Sequence, residues 1–336
     1  MSDIVVQKDE LKSLVIKKLT GAKVNEEHAK VVADVLVHAD LRGVSSHGVL
    51  RTEHYVKRLG EGGMNPNPEF HTEQKGSSAI LFDGDNGMGH LITREAMDHA
   101  IQLSKNNGIG IVGVVNSSHC GALSYFAQQA AEQDTISMIV THTDSAVVPF
   151  GGADSYFGTN PIAYGFPASK HRPIILDMAT SNVALGKVLH ARETGKEIPN
   201  NWGVDENGTP VTDPNQVKHL LPISGPKGYG LGLVVDVLTG VLTGSAFGPN
   251  ITTMYGDYKN YRRLSHTIIT INPGLFIDKK EFMQNMDKMI DELHDVKPAE
   301  GFDSVMVPGE PEQLKEEVRK EEGIPVPESI YNYLSS

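Results

Sequence analysis

The segment Gly108-Ile109-Gly110-Ile111-Val112-Gly113 spells G-x-G-x-x-G, yet it stands in the wrong context for a dinucleotide fingerprint. That motif works only with a strand before the glycines and a helix after them, so that the pyrophosphate meets a helix N-terminus. Here the periodicity predicts a helix over 93–105 and a strand over 110–115, which inverts the order. Gly108 reads instead as the residue that ends the preceding helix. A Rossmann sheet built on this motif is excluded, and any nucleotide site must be of another type.

The rest of the chain alternates helical and strand-like stretches. Asp9 can cap a helix with Leu11, Leu14, Val15 and Leu19 on one face, and Asn25 can cap a second, which Gly43 breaks. A third helix is expected from Gly48 to about Leu59, stopped at Gly60-Glu61-Gly62-Gly63 and followed by a linker at Asn65-Pro66-Asn67-Pro68. Strands are expected over 78–82, 136–141, 161–166, 174–177 and 265–271, and helices over 122–133, 183–192 and 313–322. Asp205-Glu206-Asn207-Gly208 has tight-turn chemistry, and Asp278 with Glu281 forms a capping box ahead of Phe282, Met286, Met289, Ile290 and Leu293. The run 231–242 is almost wholly apolar and is expected to be buried on most sides.

Composition narrows the function. A formal net charge of -12 argues against a nucleic-acid surface and an anionic membrane, but one local arginine can still bind a carboxylate. The opening MSDIVVQKDE lacks a basic segment followed by an apolar one, and no run is long enough to span a bilayer, so a cytoplasmic location is expected. Cys120 is the only cysteine, which excludes an intrachain disulfide and cysteine-rich zinc sites; no metal site is expected.

Two histidines occupy similar small-residue frames, Ser45-Ser46-His47-Gly48 and Ser117-Ser118-His119-Cys120-Gly121. If a helix begins near Gly48, then His47, Arg51 and Tyr55 share a face and Ser46 sits at the cap position. A guanidinium that grips a carboxylate, with imidazole, phenol and hydroxyl beside it, suits a small hydroxy or keto acid. The other reading is a solvated helix face. His119 falls between a strand and a helix, where it can act as a general base or be a turn histidine satisfied locally. Cys120 reads more simply as a buried spectator than as a reactive thiol. Gly84 to Gly89 lies in the right order for an anion cradle but also suits a plain turn. Lys227 opens the apolar helix, a cost to the helix dipole that an anionic ligand would offset. Asp177 can accept from ribose hydroxyls or from its own helix N-terminus.

Taken together, DLRGVSSHGVLR (40–51), SSHCGALSYF (117–126), VVPFGGADSYFGTNPIAYGFP (147–167), DMATSNVALGK (177–187), WGVDENGTPVTDP (202–214) and GPKGYGLGL (225–233) resemble the malate/L-lactate dehydrogenase family, in family order and over nearly the whole chain. The resemblance implies an α+β (mixed α/β) non-Rossmann fold, with a largely antiparallel central sheet, a helical domain from both chain ends and a second helical lobe. It implies division into 1–75 with 276–336, 76–180 with 244–275, and 181–243. It also implies a homodimer, or a higher homo-oligomer, with its active site near the interface. His119 matches the family's proton acceptor, and His47 matches a residue given the catalytic role in some relatives. Ser46, Arg51 and Tyr55 match substrate-pocket positions. Thr143, Asp177, Met178, Ala179, Lys227, Gly309 and Glu310 match cofactor contacts. Cys120 and Thr143 stand where a close relative has serines.

The implied activity is oxidation of a 2-hydroxy acid with NAD rather than NADP. (S)-ureidoglycolate giving oxalurate, in allantoin breakdown, is the leading expectation, and malate, L-lactate or a diketo-sugar acid is the alternative. From the residues alone, two other classes stay open. One is a metal-dependent hydrolase using His47, His119 or the His142-x-Asp144 pair, although no pair has zincin spacing. The other is a non-catalytic small-acid binding protein.

Overall fold

The computed structural model describes residues 3–336. β1 (Asp3–Val6) leads into α1 (Lys8–Gly21) and α2 (Glu26–Leu41). Two 3-10 turns, Ser45–His47 and Val49–Arg51, precede α3 (Thr52–Glu61). Asn25 caps α2 by accepting from the Glu27 amide at 2.8 Å. Gln7, not Asp9, holds the cap position of α1, and Asp9 falls in the first turn, where its charge still favours the dipole. The third helix begins at Thr52 rather than Gly48, because Gly48 is extended (φ -89°, ψ -156°) and splits the approach into two turns.

β2 (His71–Gly76), β3 (Ala79–Asp83), α4 (Gly89–Asn107), β4 (Ile109–Ser117), α5 (Ser124–Ala131), β5 (Ile136–Thr141), β6 (Ile162–Phe166) and β7 (Ile174–Met178) follow. Next come α6 (Leu185–Thr194), β8 (Gly203–Val204), β9 (His219–Leu220) and α7 (Pro226–Asp236). β10 (Leu264–Ile271), α8 (Lys279–His294), α9 (Glu310–Glu322), β11 (Ile324–Pro327) and α10 (Glu328–Ser335) complete the chain.

The central sheet has the order β2-β3-β4-β10-β5-β6-β7, and every neighbouring pair is antiparallel except β3 with β4. That pair is parallel because α4 crosses over between its strands. The fold is therefore the mixed, largely antiparallel, non-Rossmann one. The misleading glycines have structural duties here. Gly108 ends α4 at φ +83°, and a β-carbon on Gly110 would lie 2.2 Å from the Ala100 carbonyl oxygen, so glycine lets α4 lie on β4.

Leu11, Val15, Leu19 and Leu36 from the start of the chain share one core with Ile324, Val326 and Leu334 from its end, and β1 pairs with β11. A second core places α4 and α5 against the sheet through Ile92, Met97, Val112, Phe126 and Ile139. Val147, Phe157, Val188 and Leu220 centre a third core. Asp278 caps α8 by accepting from the Lys280 and Glu281 amides at 2.9 and 3.2 Å. Met286 and Ile290 are buried, but Met289 and Leu293 are exposed, because α8 meets Ile174 and Val307 along a narrow stripe.

The apolar run 231–242 departs from expectation. Leu231, Leu233, Val234, Val237, Val241 and Leu242 are exposed, while Gly232, Val235, Asp236, Thr239 and Gly240 face inward. Small residues let the helix lie close on β5 and β6, and Asp236 accepts from Asn160 Nδ2 at 3.1 Å inside. No helix among the described residues is long and apolar enough to cross a membrane.

His90, His142 and His266 are fully buried, and burial holds each near about 3, below the ordinary 6.5. Between those values the unfolded chain binds protons that the folded chain refuses, so the stability these three rings contribute is complete above about pH 6.5 and declines below it. Calorimetry should show the melting temperature falling as pH is lowered from neutrality, with a shallower fall in His90→Leu.

Candidate functional site

The sequence-predicted pocket residues converge. Tyr55 Oη lies 2.7 Å from His119 Nδ1, and the His47 and His119 rings stack with centroids 5.5 Å apart. Ser46 Oγ lies 2.9 Å from His47 Nδ1, so this hydroxyl holds a ring rather than capping a helix. Arg51 Nε donates to the Ser46 carbonyl at 2.7 Å, and its Nη1 donates to the Tyr255 hydroxyl. The set is assembled by two turns and α3, not by one continuous helix face.

The His119 loop is anchored from below. Ser118 Oγ accepts from the Gly89 amide and donates to the Gly87 carbonyl, both at 2.8 Å. Ser117 Oγ lies 2.7 Å from His266 Nε2, and His266 Nδ1 lies 2.7 Å from Thr141 Oγ1. The β4–β10 register slips between Leu264 and His266, which frees the strand end that feeds the loop. The Gly84–Gly89 stretch is a plain turn: the amides of Gly84, Asp85, Asn86 and Gly89 donate to Val115 O, Asp83 Oδ1, Asn116 O and Ser118 Oγ. Cys120 is buried, and burial pushes its thiol up to about 12, as suits a spectator.

Burial, reinforced by His47, His90, Arg51 and Arg262, holds His119 well below 6.5. Burial and then Arg51 lower His47 to about 4. Both rings are neutral near pH 7, and a neutral imidazole can accept a proton.

The expected cofactor positions lie along β7 and its neighbours. Asp177 is exposed near the end of β7, and desolvation by the surrounding protein raises its carboxyl. Its Oδ2 accepts from the Ser124 amide at 2.7 Å, which caps α5 rather than its own following helix. Thr143 Oγ1 accepts from the Thr159 amide at 3.0 Å, and the Thr159 carbonyl accepts from the Thr180 amide at 2.9 Å, next to Met178 and Ala179. Gly309, at φ +87°, rests on β7, where a β-carbon would lie 2.5 Å from the Ile175 oxygen. Glu310 Oε2 accepts from the Val307 amide at 2.9 Å and lies 2.9 Å from His294 Nε2. Lys227 stands exposed in the first turn of α7. An open carboxylate and an exposed ammonium, beside closely packed backbone, have the chemistry to take ribose hydroxyls and a pyrophosphate.

Several contributors escaped the sequence reading. Buried Arg58 donates to the carbonyls of Asn260, Thr253, Met254 and Asp257 at 3.0, 3.2, 2.9 and 2.6 Å, which fixes the loop that carries Tyr255. Buried Arg262 pairs with Asp144. His142 Nε2 instead accepts from the Ser265 amide at 2.9 Å, so the His142-x-Asp144 pair is split between two networks. His90 lies with its ring centroid 4.9 Å from that of Tyr55. Arg58 stands three residues after Tyr55, which was the one available signal, but a lone arginine on a helix reads as solvated.

Residues 6–335 match the malate/L-lactate dehydrogenase family. The chain is 43% identical over 331 residues to ureidoglycolate dehydrogenase (NAD(+)) of Escherichia coli (strain K12), covering 98% of this chain and 95% of that one. It is 38% identical to malate dehydrogenase of Pyrococcus abyssi, covering 98% and 93%. The solved structure of sulfolactate dehydrogenase from Methanocaldococcus jannaschii superimposes with a TM-score of 0.93 at 37% identity, covering 98% of this chain and 95% of that one. With this fold, these clustered side chains and matches that run almost end to end, the chain belongs to the malate/L-lactate dehydrogenase family.

Proposed function

We propose that the protein oxidises (S)-ureidoglycolate to oxalurate with NAD in the cytoplasm, as a member of allantoin breakdown. The observation that carries the chemistry is the cluster of Arg51, His47, Tyr55 and His119. Arg51 holds the substrate carboxylate, with Ser46, His47 and Tyr55 shaping the pocket. In this reading His119 carries its hydrogen on Nδ1, toward the Tyr55 oxygen 2.7 Å away, and Nε2 takes the hydroxyl proton. Bound NAD supplies the hydride acceptor. Asp177 serves the ribose hydroxyls, and its charge disfavours a 2′-phosphate, hence NAD over NADP. Lys227 pairs with the pyrophosphate, while Thr143, Met178, Ala179, Gly309 and Glu310 line the cofactor. The likeness to ureidoglycolate dehydrogenase (NAD(+)) supports this substrate over malate or sulfolactate. In this reading 1–75 with 276–336, 76–180 with 244–275, and 181–243 act as terminal domain, sheet domain and lobe.

A panel of ureidoglycolate, malate, lactate and sulfolactate, each with NAD and with NADP, tests the reading by NADH absorbance. Highest kcat/KM on malate would overturn the choice of acid. His119→Ala should lose about 10²–10⁴-fold in kcat and still bind NADH, whereas near-normal turnover removes His119 as the base. Arg51→Lys should chiefly raise KM, since it keeps charge and loses the fork. Because His119 sits well below 6.5, kcat for oxidation should stay level down through that value before it falls.

The exposed face of α7 and the π-helical turn that follows, Val237–Val241, supports a homodimer or higher homo-oligomer, since an apolar stripe of this kind is normally covered. Sedimentation should show a dimer, and Val234→Asp with Val241→Asp should yield a monomer; a wild-type monomer would refute this.

A further inference from the structure

Asp40 lies in the last turn of α2 and is buried. A carboxylate there is disfavoured twice, by the helix dipole and by desolvation. The fold nonetheless builds a turn around it. Asp40 Oδ2 accepts from the Val49 amide at 2.7 Å, and the nearby Ser45 side chain favours the ionised carboxyl. Gly48 lies directly against the carboxylate, where a β-carbon would stand 2.1 Å from Oδ1. From α9, Arg319 donates to Asp40's carbonyl, and it is the charged group that bears on the carboxyl.

We propose that Asp40 is a positioning residue, whose carboxylate ties the Gly48–Val49 end of the Ser45–Val49 turn to α2 and thereby sets where Ser46, His47 and Arg51 stand. The proposal takes the roles of those residues from the dehydrogenase reading above. The anion accepts from the Val49 amide more strongly than the neutral acid does, because a charge-assisted hydrogen bond is the stronger one. Burial raises this carboxyl to about 7, with the Val49 bond, Arg319 and the Ser45 side chain opposing. The clamp is therefore complete above about pH 7 and loosens below it, in a range where His119 stays neutral. Loss of substrate grip and loss of the base appear on separate limbs, the first in KM near neutrality and the second in kcat at lower pH.

The test compares wild type, Asp40→Asn, Gly48→Ala and Arg51→Lys. It measures KM and kcat for (S)-ureidoglycolate against pH, NADH binding by fluorescence, and amide exchange over 45–51 corrected for intrinsic pH dependence. In the wild type, both KM and exchange should rise as pH falls through about 7. Asp40→Asn should raise KM roughly tenfold at alkaline pH, with exchange over 45–51 insensitive to pH and NADH affinity unchanged. Gly48→Ala displaces the carboxylate sterically and should reproduce the KM rise if the asparagine variant does not fold. A wild-type KM and wild-type exchange in Asp40→Asn would overturn the clamp, as would a persisting pH dependence. If Arg51→Lys raises KM and Asp40→Asn does not, the dehydrogenase reading stands and the clamp fails. If the wild type leaves ureidoglycolate unoxidised, that reading fails and the exchange profile alone decides the clamp.

Discussion

The first turn of α4 lies directly on the backbone of the loop that carries His119. The Gly89 amide donates to Ser118 Oγ, and a β-carbon on Gly89 would stand 2.2 Å from the Ser118 carbonyl oxygen. That approach fixes the loop against a long helix, which is itself packed on the sheet through Ala96, Met97 and Ala100. His119 is then rigid enough for Tyr55, arriving from α3, to meet its Nδ1. Two parts of the chain that fold into different cores, the terminal helices and the sheet, meet here as well as where α2 packs on α4 and α5.

Desolvation does the electrical tuning. His47, His90 and His119 sit close together, and each is lowered first by burial and then by neighbouring cations or rings. A cluster of neutral imidazoles can stack where protonated ones would repel. The arginines behave differently, since a guanidinium keeps its charge even when buried. Arg58 and Arg262 are buried, and their charge is met by carbonyl oxygens and by Asp144. They act as struts for the loop that brings Tyr255 to Arg51. Stability and site geometry thus draw on the same buried polar contacts.

The legible parts of the sequence were those with local causes. Asn25 and Asp278 cap helices because a side-chain oxygen within two or three residues satisfies the first free amides. Gly108 ends α4 at positive φ, and recognising this removed the false dinucleotide motif. The strands at 136–141 and 264–271 followed from their apolar runs, but their adjacency did not. Gly48 looked like the start of a helix and is extended, because Asp40 fills the space above it. The β1–β11 pairing, the Arg58 strut and the Arg262–Asp144 pair join residues far apart in sequence, and spacing carries no trace of them.

The inversion of α7 shows where a pattern rule meets its limit. A run that is apolar on all sides has no preferred face, so the direction it turns is decided by what it must touch. Here the loop ahead of β6 offers Asn160, whose amide needs an acceptor, and the helix answers with Asp236, which also accepts from the Gly248 amide at 3.1 Å. Burial holds that carboxyl up at about 6, the cost of placing it inside. Gly232 and Gly240 keep the inward edge thin, so the large side chains have only the outside to occupy. The same helix carries Lys227 at its start. A surface that covers its apolar face therefore also steadies the turn that presents this ammonium, which ties the proposed subunit contact to the proposed cofactor cleft.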